Sequence, residues 1–235
     1  GSGTFKVRDV RGMAAATKTA GVPSILEGTW ATPVFCQRLT LGGDVIVASK
    51  SKYLGGHSDC MMGMIACTSK YAERIRKTVM GIGDKTGGQE VFLALRGLRT
   101  LKMRMAHFDQ AGREIAGWLA AQPQVKTVLH PALESCPGHA SWARDFSGAA
   151  GLFGVVFHPC SDDQIRAFVD ALHHFGIGVS WGGFESLVLP VKPQRSAGTW
   201  SEDGQLVRFN IGLEDTASLK ADLAAALPLL NAGSE

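Results

Sequence analysis

Residues 27–59 read EGTWATPVFCQRLTLGGDVIVASKSKYLGGHSD, and the fold turns on how they are parsed. Asp44–Ala48 is a short β-branched apolar run, which predicts a buried strand. Gly55, Gly56 and Ser58 mark a loop behind it, and the apolar run Met61–Thr68 predicts a second strand. Between the strand and the loop lies Lys52, just after Ser49 and Ser51. Strand, polar loop with Lys and His, then strand is the pattern of a ligand-binding edge.

Working outward, the N-terminal side predicts a broken strand, a helix over Val10–Thr19, a turn at Gly21 and a buried strand ending near Glu27. That is half of an α/β crossover. On the C-terminal side a helix is expected over Ser69–Met80, then a Gly-rich turn. Apolar residues from Val91 to Leu119 recur at helical intervals and predict a long helix over Glu90–Gln122. Beyond it come short strands at Val125–Leu129, Leu152–Phe157, Val179–Leu189 (broken at Gly182–Gly183) and Leu206–Ile211. Helices are expected over Asp162–His174 and Thr216–Leu230. The composition changes across the long helix, which places a domain boundary near residue 98 and gives units 1–98 and 99–235.

The chain has 235 residues, 45% hydrophobic and 19% charged, which is the composition of a folded globular protein rather than a disordered one. With 24 Lys and Arg interspersed among 21 Asp and Glu, no basic stripe marks a nucleic-acid partner. No apolar run approaches the ~18 residues of a membrane-spanning helix, so no membrane partner is expected. Five cysteines, at 36, 60, 67, 136 and 160, contain no CxxC pair, which fits free thiols and a cytoplasmic location. His57, Cys60 and Cys67 match no common zinc spacing, so no metal is expected.

Four features carry candidate chemistry. A lysine at the mouth of a buried strand has its amine pKa lowered by desolvation and becomes a nucleophile toward carbonyls. The alternative for Lys52 is that it shares one solvent-facing strand edge with Lys50. Glu27 ends an apolar strand, where α/β sheets place ligands; it is either a buried carboxylate that needs a cationic partner or an exposed loop or cap acid. Arg208 lies within the apolar alternation LVRFNIG, suited either to a carboxylate ligand or to an internal salt bridge. The segment SWGGFESL, residues 180–187, reads as a substrate gate or as a bulged strand. His173 and His174 are expected on one helix, one buried and one exposed.

The run 27–59 resembles the cofactor-lysine region of the Cys/Met-metabolism family of pyridoxal-phosphate enzymes. VFLALRGLRTLKMRMAHF, VLHPALESCPGHASWARDFSGAAGLF, SWGGFESLVLP and VRFNIGLEDTASLKADL extend the resemblance, to the cystathionine β-lyase branch, over nearly the whole chain. Trp181 stands where γ-lyases and γ-synthases usually have a smaller aliphatic residue.

The resemblance implies an α/β protein of the fold-type I transferase class: the C-terminal part of a large cofactor domain, then a small α/β domain. It implies pyridoxal 5'-phosphate as cofactor and a sulfur amino acid as substrate. Lys52 would join the cofactor aldehyde and later shuttle the substrate Cα proton. Ser49 and Ser51 would hold the phosphate, Glu27 would pair with the ring nitrogen, and Thr29 would lie beside the ring. Arg208 and Ser180 would bind the substrate carboxylate, with Trp181 shaping the pocket. The activity implied is β-elimination of cystathionine to homocysteine, pyruvate and ammonia. A γ-lyase or γ-synthase and a non-catalytic scaffold are the alternatives.

Two departures from the family are visible. Glu27-Gly28 replaces the usual Asp-Asn, which lengthens the carboxylate arm by one methylene. The chain also starts well inside the family's large domain, so a complementary N-terminal segment is expected to supply the rest of the site. The resemblance further implies a homotetramer built from dimers.

Overall fold

In the computed structural model, residues 4–193, 200 and 202–231 are described. Two sheets are separated along the chain by one long helix. The first sheet has strands β1 (Ile25–Glu27), β2 (Val45–Ser49) and β3 (Gly63–Cys67) in the order β1-β2-β3. β1 runs parallel to β2, with Glu27 opposite Val47, and β3 runs antiparallel to β2, with Ile65 opposite Val47. Helix α1 (Val10–Thr19) precedes this sheet. It begins where the Asp9 carboxylate accepts from the Gly12 amide at 3.2 Å, an N-cap that satisfies an otherwise orphaned donor. Ser24 and Asp44 then lock the entry to β1 and β2 together. The Asp44 carboxylate accepts from the Ser24 amide at 2.9 Å, and the Ser24 hydroxyl accepts from the Asp44 amide at 3.0 Å.

After the short helix α2 (Thr32–Phe35) and helix α3 (Ser69–Gly81), helix α4 runs from Gly88 to Ala120. At ~1.5 Å per residue, its 33 residues span about 50 Å. The second sheet combines β4 (Val125–Leu129), β5 (Leu152–Phe157), β6 (Gly176–Ile177), β7 (Leu187–Val191) and β8 (Leu206–Asn210) in the order β4-β5-β8-β7-β6. All its pairings are antiparallel except β6 with β7.

The short helix α5 (His139–Asp145) lies between β4 and β5 in sequence, and β5 and β8 are buried on both faces. Phe153, Val155, Phe157, Val207 and Phe209 pack with Ile115 and Leu119 of α4, with helix α6 (Asp162–Asp170) and with helix α7 (Thr216–Ala226). The opposite face carries Leu152, Val156 and Leu206 against Phe5, Trp30 and Trp181. Arg208 sits across from Gly154 on that second face, so the strand pleat turns its side chain away from the main core.

Several sequence expectations are corrected. No strand forms over residues 4–9, and residues 1–3 lie outside the described part. The run expected as a strand over Val179–Leu189, broken at Gly182–Gly183, is a loop that enters β7 only at Leu187. Several of its backbone polar groups are met by side chains instead of a ladder. Helix α6 ends at Asp170, so His173 and His174 follow it in a turn, and both are exposed. Their backbone amides donate to the Asp222 carboxylate of α7 at 2.8–3.0 Å, a local capture that competes with helix continuation. Among the described residues, no helix is long and apolar enough to cross a membrane.

Candidate active site

The end of β2 opens into a wide turn over Lys50–Leu54. The Gly55 amide donates to the Lys50 carbonyl at 2.7 Å, five residues back, and the Gly56 amide donates to the Lys52 carbonyl at 2.8 Å. Lys52 itself leaves helical geometry, with φ −92° and ψ −134°. Single wide turns of this kind recur at functional sites because they swing one side chain out of the helical array. Lys50 is 7% exposed. The reading that put Lys50 and Lys52 together on a solvent-facing strand edge therefore fails: the turn separates them.

The Lys52 ammonium donates to the Ser180 hydroxyl at 2.7 Å and stands 5.4 Å from the centre of the Trp181 ring. Burial, and behind it the Arg208 guanidinium, holds the amine below the ordinary lysine value. A neutral amine is the nucleophilic form, so the shift enlarges the reactive fraction at a given pH. The Trp181 ring also rests on Tyr53, with ring centres 5.6 Å apart, so the residue after Ser180 packs against the residue after Lys52.

Thr29 connects the acid to this turn. Its hydroxyl donates to the Glu27 carboxylate and accepts from the Ser49 amide at 2.8 Å, and its own amide donates to the same carboxylate at 2.9 Å. Glu27 is exposed and, among the described residues, makes no ion pair, which matches the exposed-acid alternative and not the buried carboxylate with a cationic partner. β1 is an edge strand of the described sheet, and its outward pleat leaves Glu27 uncovered. The Ser51 hydroxyl accepts from the Met62 amide at 3.0 Å, pinning the turn to the segment that enters β3. At the neighbouring Gly28, a Cβ would stand 2.6 Å from Ile46 Cγ2, so the backbone here is packed for glycine.

Arg208 is 8% exposed. The internal salt bridge offered as its alternative role is absent among the described residues. Nη2 donates instead to the carbonyls of Gly178, Val179 and Ser180 at 3.2, 2.6 and 3.3 Å. Nε and Nη1 make no bond among the described residues, which leaves donors for an incoming carboxylate. The arginine thus fixes the backbone of the loop whose hydroxyl meets Lys52.

Two residues of this network escaped the sequence reading. Asn210, two positions beyond Arg208, accepts from the Gly182 amide at 2.9 Å and donates to the Glu185 carbonyl at 3.0 Å, shaping the turn after Trp181. Arg104 of α4 donates to the Tyr53 carbonyl at 2.6 Å. The available signals were a second polar residue in a buried strand alternation and an arginine on the stripe of Leu101, Met105 and Phe108.

Beside these groups lies a cavity of about 410 Å³ bordered by Phe5, Leu26, Glu27, Trp30, Phe146 and Trp181. That volume falls in the ~300–1,000 Å³ range of small-molecule sites. An acid and two hydroxyls at the end of one sheet, with a partly desolvated lysine amine on the same turn and a buried guanidinium beyond, suit an anionic ligand that carries a carbonyl. The donor set fits pyridoxal phosphate, whose aldehyde, phosphate and ring nitrogen call for an amine, hydroxyl donors and a carboxylate.

Such a lysine-bearing turn, placed at the end of a mixed sheet and followed by a long helix and an antiparallel sheet, defines the fold-type I class of pyridoxal-phosphate proteins. The family model described as Cys/Met metabolism PLP-dependent enzyme matches residues 1–228, and the chain belongs to that family. It is 37% identical over 233 residues to cystathionine beta-lyase MetC of Escherichia coli strain K12, covering 96% of this chain and 59% of that protein. It is 35% identical over 232 residues to cystathionine gamma-lyase of Bacillus subtilis strain 168, covering 95% of this chain and 60% of that protein. Among solved structures, cystathionine gamma synthase from Xanthomonas oryzae pv. oryzae superimposes with a TM-score of 0.89 at 30% identity, covering 97% of this chain and 60% of that one. The chain therefore spans about three fifths of the length of these relatives.

Proposed function

We propose that the chain is the lysine-bearing part of a pyridoxal-phosphate-dependent carbon–sulfur β-lyase acting on cystathionine, with homocysteine, pyruvate and ammonia as products. The observation that carries this reading is the Lys52 amine, kept partly desolvated and held at 2.7 Å from the Ser180 hydroxyl beside Trp181. The cofactor, when bound, supplies an electron sink for the bond-breaking step.

The protein's own groups would divide the remaining work. Lys52 Nζ, neutral, would take the substrate Cα proton and, once charged, return a proton to the departing thiolate; one amine can do both because its two forms are base and acid. The Ser180 hydroxyl would hold that amine in place between the two transfers. Free N–H groups of Arg208 would donate to the substrate carboxylate. Ser49 and Ser51 would bind the phosphate, and Glu27, oriented by Thr29, would face the ring nitrogen. Trp181 would exclude water from one side of the lysine and limit the room for the substrate side chain.

A γ-elimination or γ-replacement activity is the second reading, favoured by the close superposition on a cystathionine gamma synthase. The domain division at residue 98, which falls inside α4, and assembly into a homotetramer or with a complementary N-terminal segment are part of the same proposal.

The test is the visible spectrum after addition of pyridoxal phosphate, followed by borohydride trapping and peptide mapping, on the chain and on Lys52→Ala. An adduct on Lys52 that the variant lacks supports the reading, and pyruvate released from cystathionine then separates β- from γ-chemistry. Absence of any adduct on this chain would overturn cofactor capture by the chain alone.

A further inference from the structure

Arg104 projects from the middle of α4 into the protein, where it is 6% exposed, and among the described residues it has no carboxylate within ion-pair reach. A buried cation without a counter-charge is costly and persists only when its donors are occupied. Here they are. Nη1 donates to the Tyr53 carbonyl at 2.6 Å, Nη2 to the Gly97 carbonyl at 2.8 Å and to the Leu54 carbonyl at 3.4 Å, and Nε to the Thr100 hydroxyl at 3.0 Å.

Tyr53 and Leu54 are the last residues of the wide turn that begins with Lys50. Their carbonyls belong to the end of a helical segment, where acceptors are left without intrahelical donors. The surroundings are shaped to admit the guanidinium. Gly56 has φ +75°, and a Cβ there would overlap Arg104. At Gly97 a Cβ would overlap the Gly55 carbonyl and stand 2.7 Å from that of Leu54, so α4 touches the turn through bare backbone.

We propose that Arg104 is a positioning residue for Lys52: its guanidinium caps the carbonyl end of the lysine-bearing turn and thereby sets where the amine stands. The proposal rests on the reading of Lys52 as the cofactor lysine and adds to it the element that orients that lysine. Arg104 touches neither substrate nor cofactor in this scheme and acts through the Tyr53 and Leu54 carbonyls.

The experiment compares the full chain with Arg104→Met, Arg104→Lys and Thr100→Val. Amide hydrogen exchange on the cofactor-free proteins reads the turn directly, and the rate of borohydride-trapped pyridoxal phosphate on Lys52 reads its consequence. In Arg104→Met, protection of the Gly55 and Gly56 amides should fall by about tenfold or more, the size of one lost charge-assisted hydrogen bond, with β5 and β8 unchanged. Trapping at Lys52 should slow by a similar factor. Arg104→Lys should recover part of both, and Thr100→Val should show a smaller loss confined to the same amides. Unchanged protection and trapping in Arg104→Met would overturn the proposal. Where Arg104→Met loses protection in β5 and β8 as well, Thr100→Val and Arg104→Lys decide it: turn-confined losses support it, and uniform losses overturn it. If the parent chain itself traps nothing at Lys52, cofactor capture by the chain alone falls. Gly55 and Gly56 protection then still decides whether Arg104 holds the turn.

Discussion

Lys52 and Ser180 lie 128 residues apart in sequence, yet the amine of one donates to the hydroxyl of the other at 2.7 Å. The bond ties the turn after β2 to the loop between β6 and β7. Ser180 accepts, so it favours the charged amine, whereas burial and Arg208 disfavour it.

Ser180→Ala should therefore push the Lys52 titration further down. Acylation of Lys52 at fixed pH, followed by peptide mapping and scaled to exposed Lys77, should speed up several-fold. An unchanged or slower rate would show that the hydroxyl does not hold the charged form.

Arg208→Met should move the same titration the other way, because it removes the neighbouring positive charge; Lys52 acylation should slow. The variant also strips the donor from the Gly178, Val179 and Ser180 carbonyls. A loss of about 1–3 kcal/mol in denaturant unfolding is expected from hydrogen bonds of this kind.

Gly97→Ala sets two effects of opposite sign against each other. Alanine gains ~1 kcal/mol of helix propensity over glycine. The added methyl overlaps the Gly55 carbonyl, and overpacking typically costs ~1–3 kcal/mol. Since backbone cannot swing aside as a side chain can, the net change should be destabilising. Urea titration checks the sign.

Gly28→Asn, which restores the residue usual in the family, should destabilise this chain by about 1–3 kcal/mol, because Ile46 Cγ2 stands 2.6 Å from the new Cβ position. Ile46→Leu moves the branch away from Cβ and should recover part of the loss. Thermal melts of the single and double variants test the coupling.

His130 is fully buried, and desolvation, aided by Arg113, depresses its pKa to about 4. The unfolded chain binds this proton near pH 6.5 and the folded chain only near 4. Stability from His130 is thus complete above 6.5 and is lost as pH falls from there through about 4. A depression of that size amounts to about 3 kcal/mol over the window. His130→Asn should flatten the fall between pH 6.5 and 4 in denaturant titrations.

The element order was largely legible because most segments carry one clear period. Val10–Thr19 forms a helix with the expected limits, and the apolar runs around Val45–Ser49 and Leu152–Phe157 form buried strands. Resemblance supplied the grouping of Lys52, Ser180 and Arg208, which no local period could show, since the Lys52–Ser180 contact bridges 128 residues and the Arg208–Ser180 contact 28. Illegible segments were those whose backbone is satisfied by side chains. The loop at 178–186 has Arg208 and Asn210 as donors and acceptors, and the turn at His173–His174 has Asp222. Glu27 stayed open between its two readings because the apolar character of a strand end does not say which face of an edge strand is covered.

Trp181 lies 5.4 Å from the Lys52 amine and borders the neighbouring cavity. An indole at that range is a built-in optical gauge. Its emission will be quenched by energy transfer to any visible chromophore attached to the lysine, so occupancy can be followed without a label or a coupled assay, with Trp181→Phe giving the background from the other four tryptophans of the five in the chain.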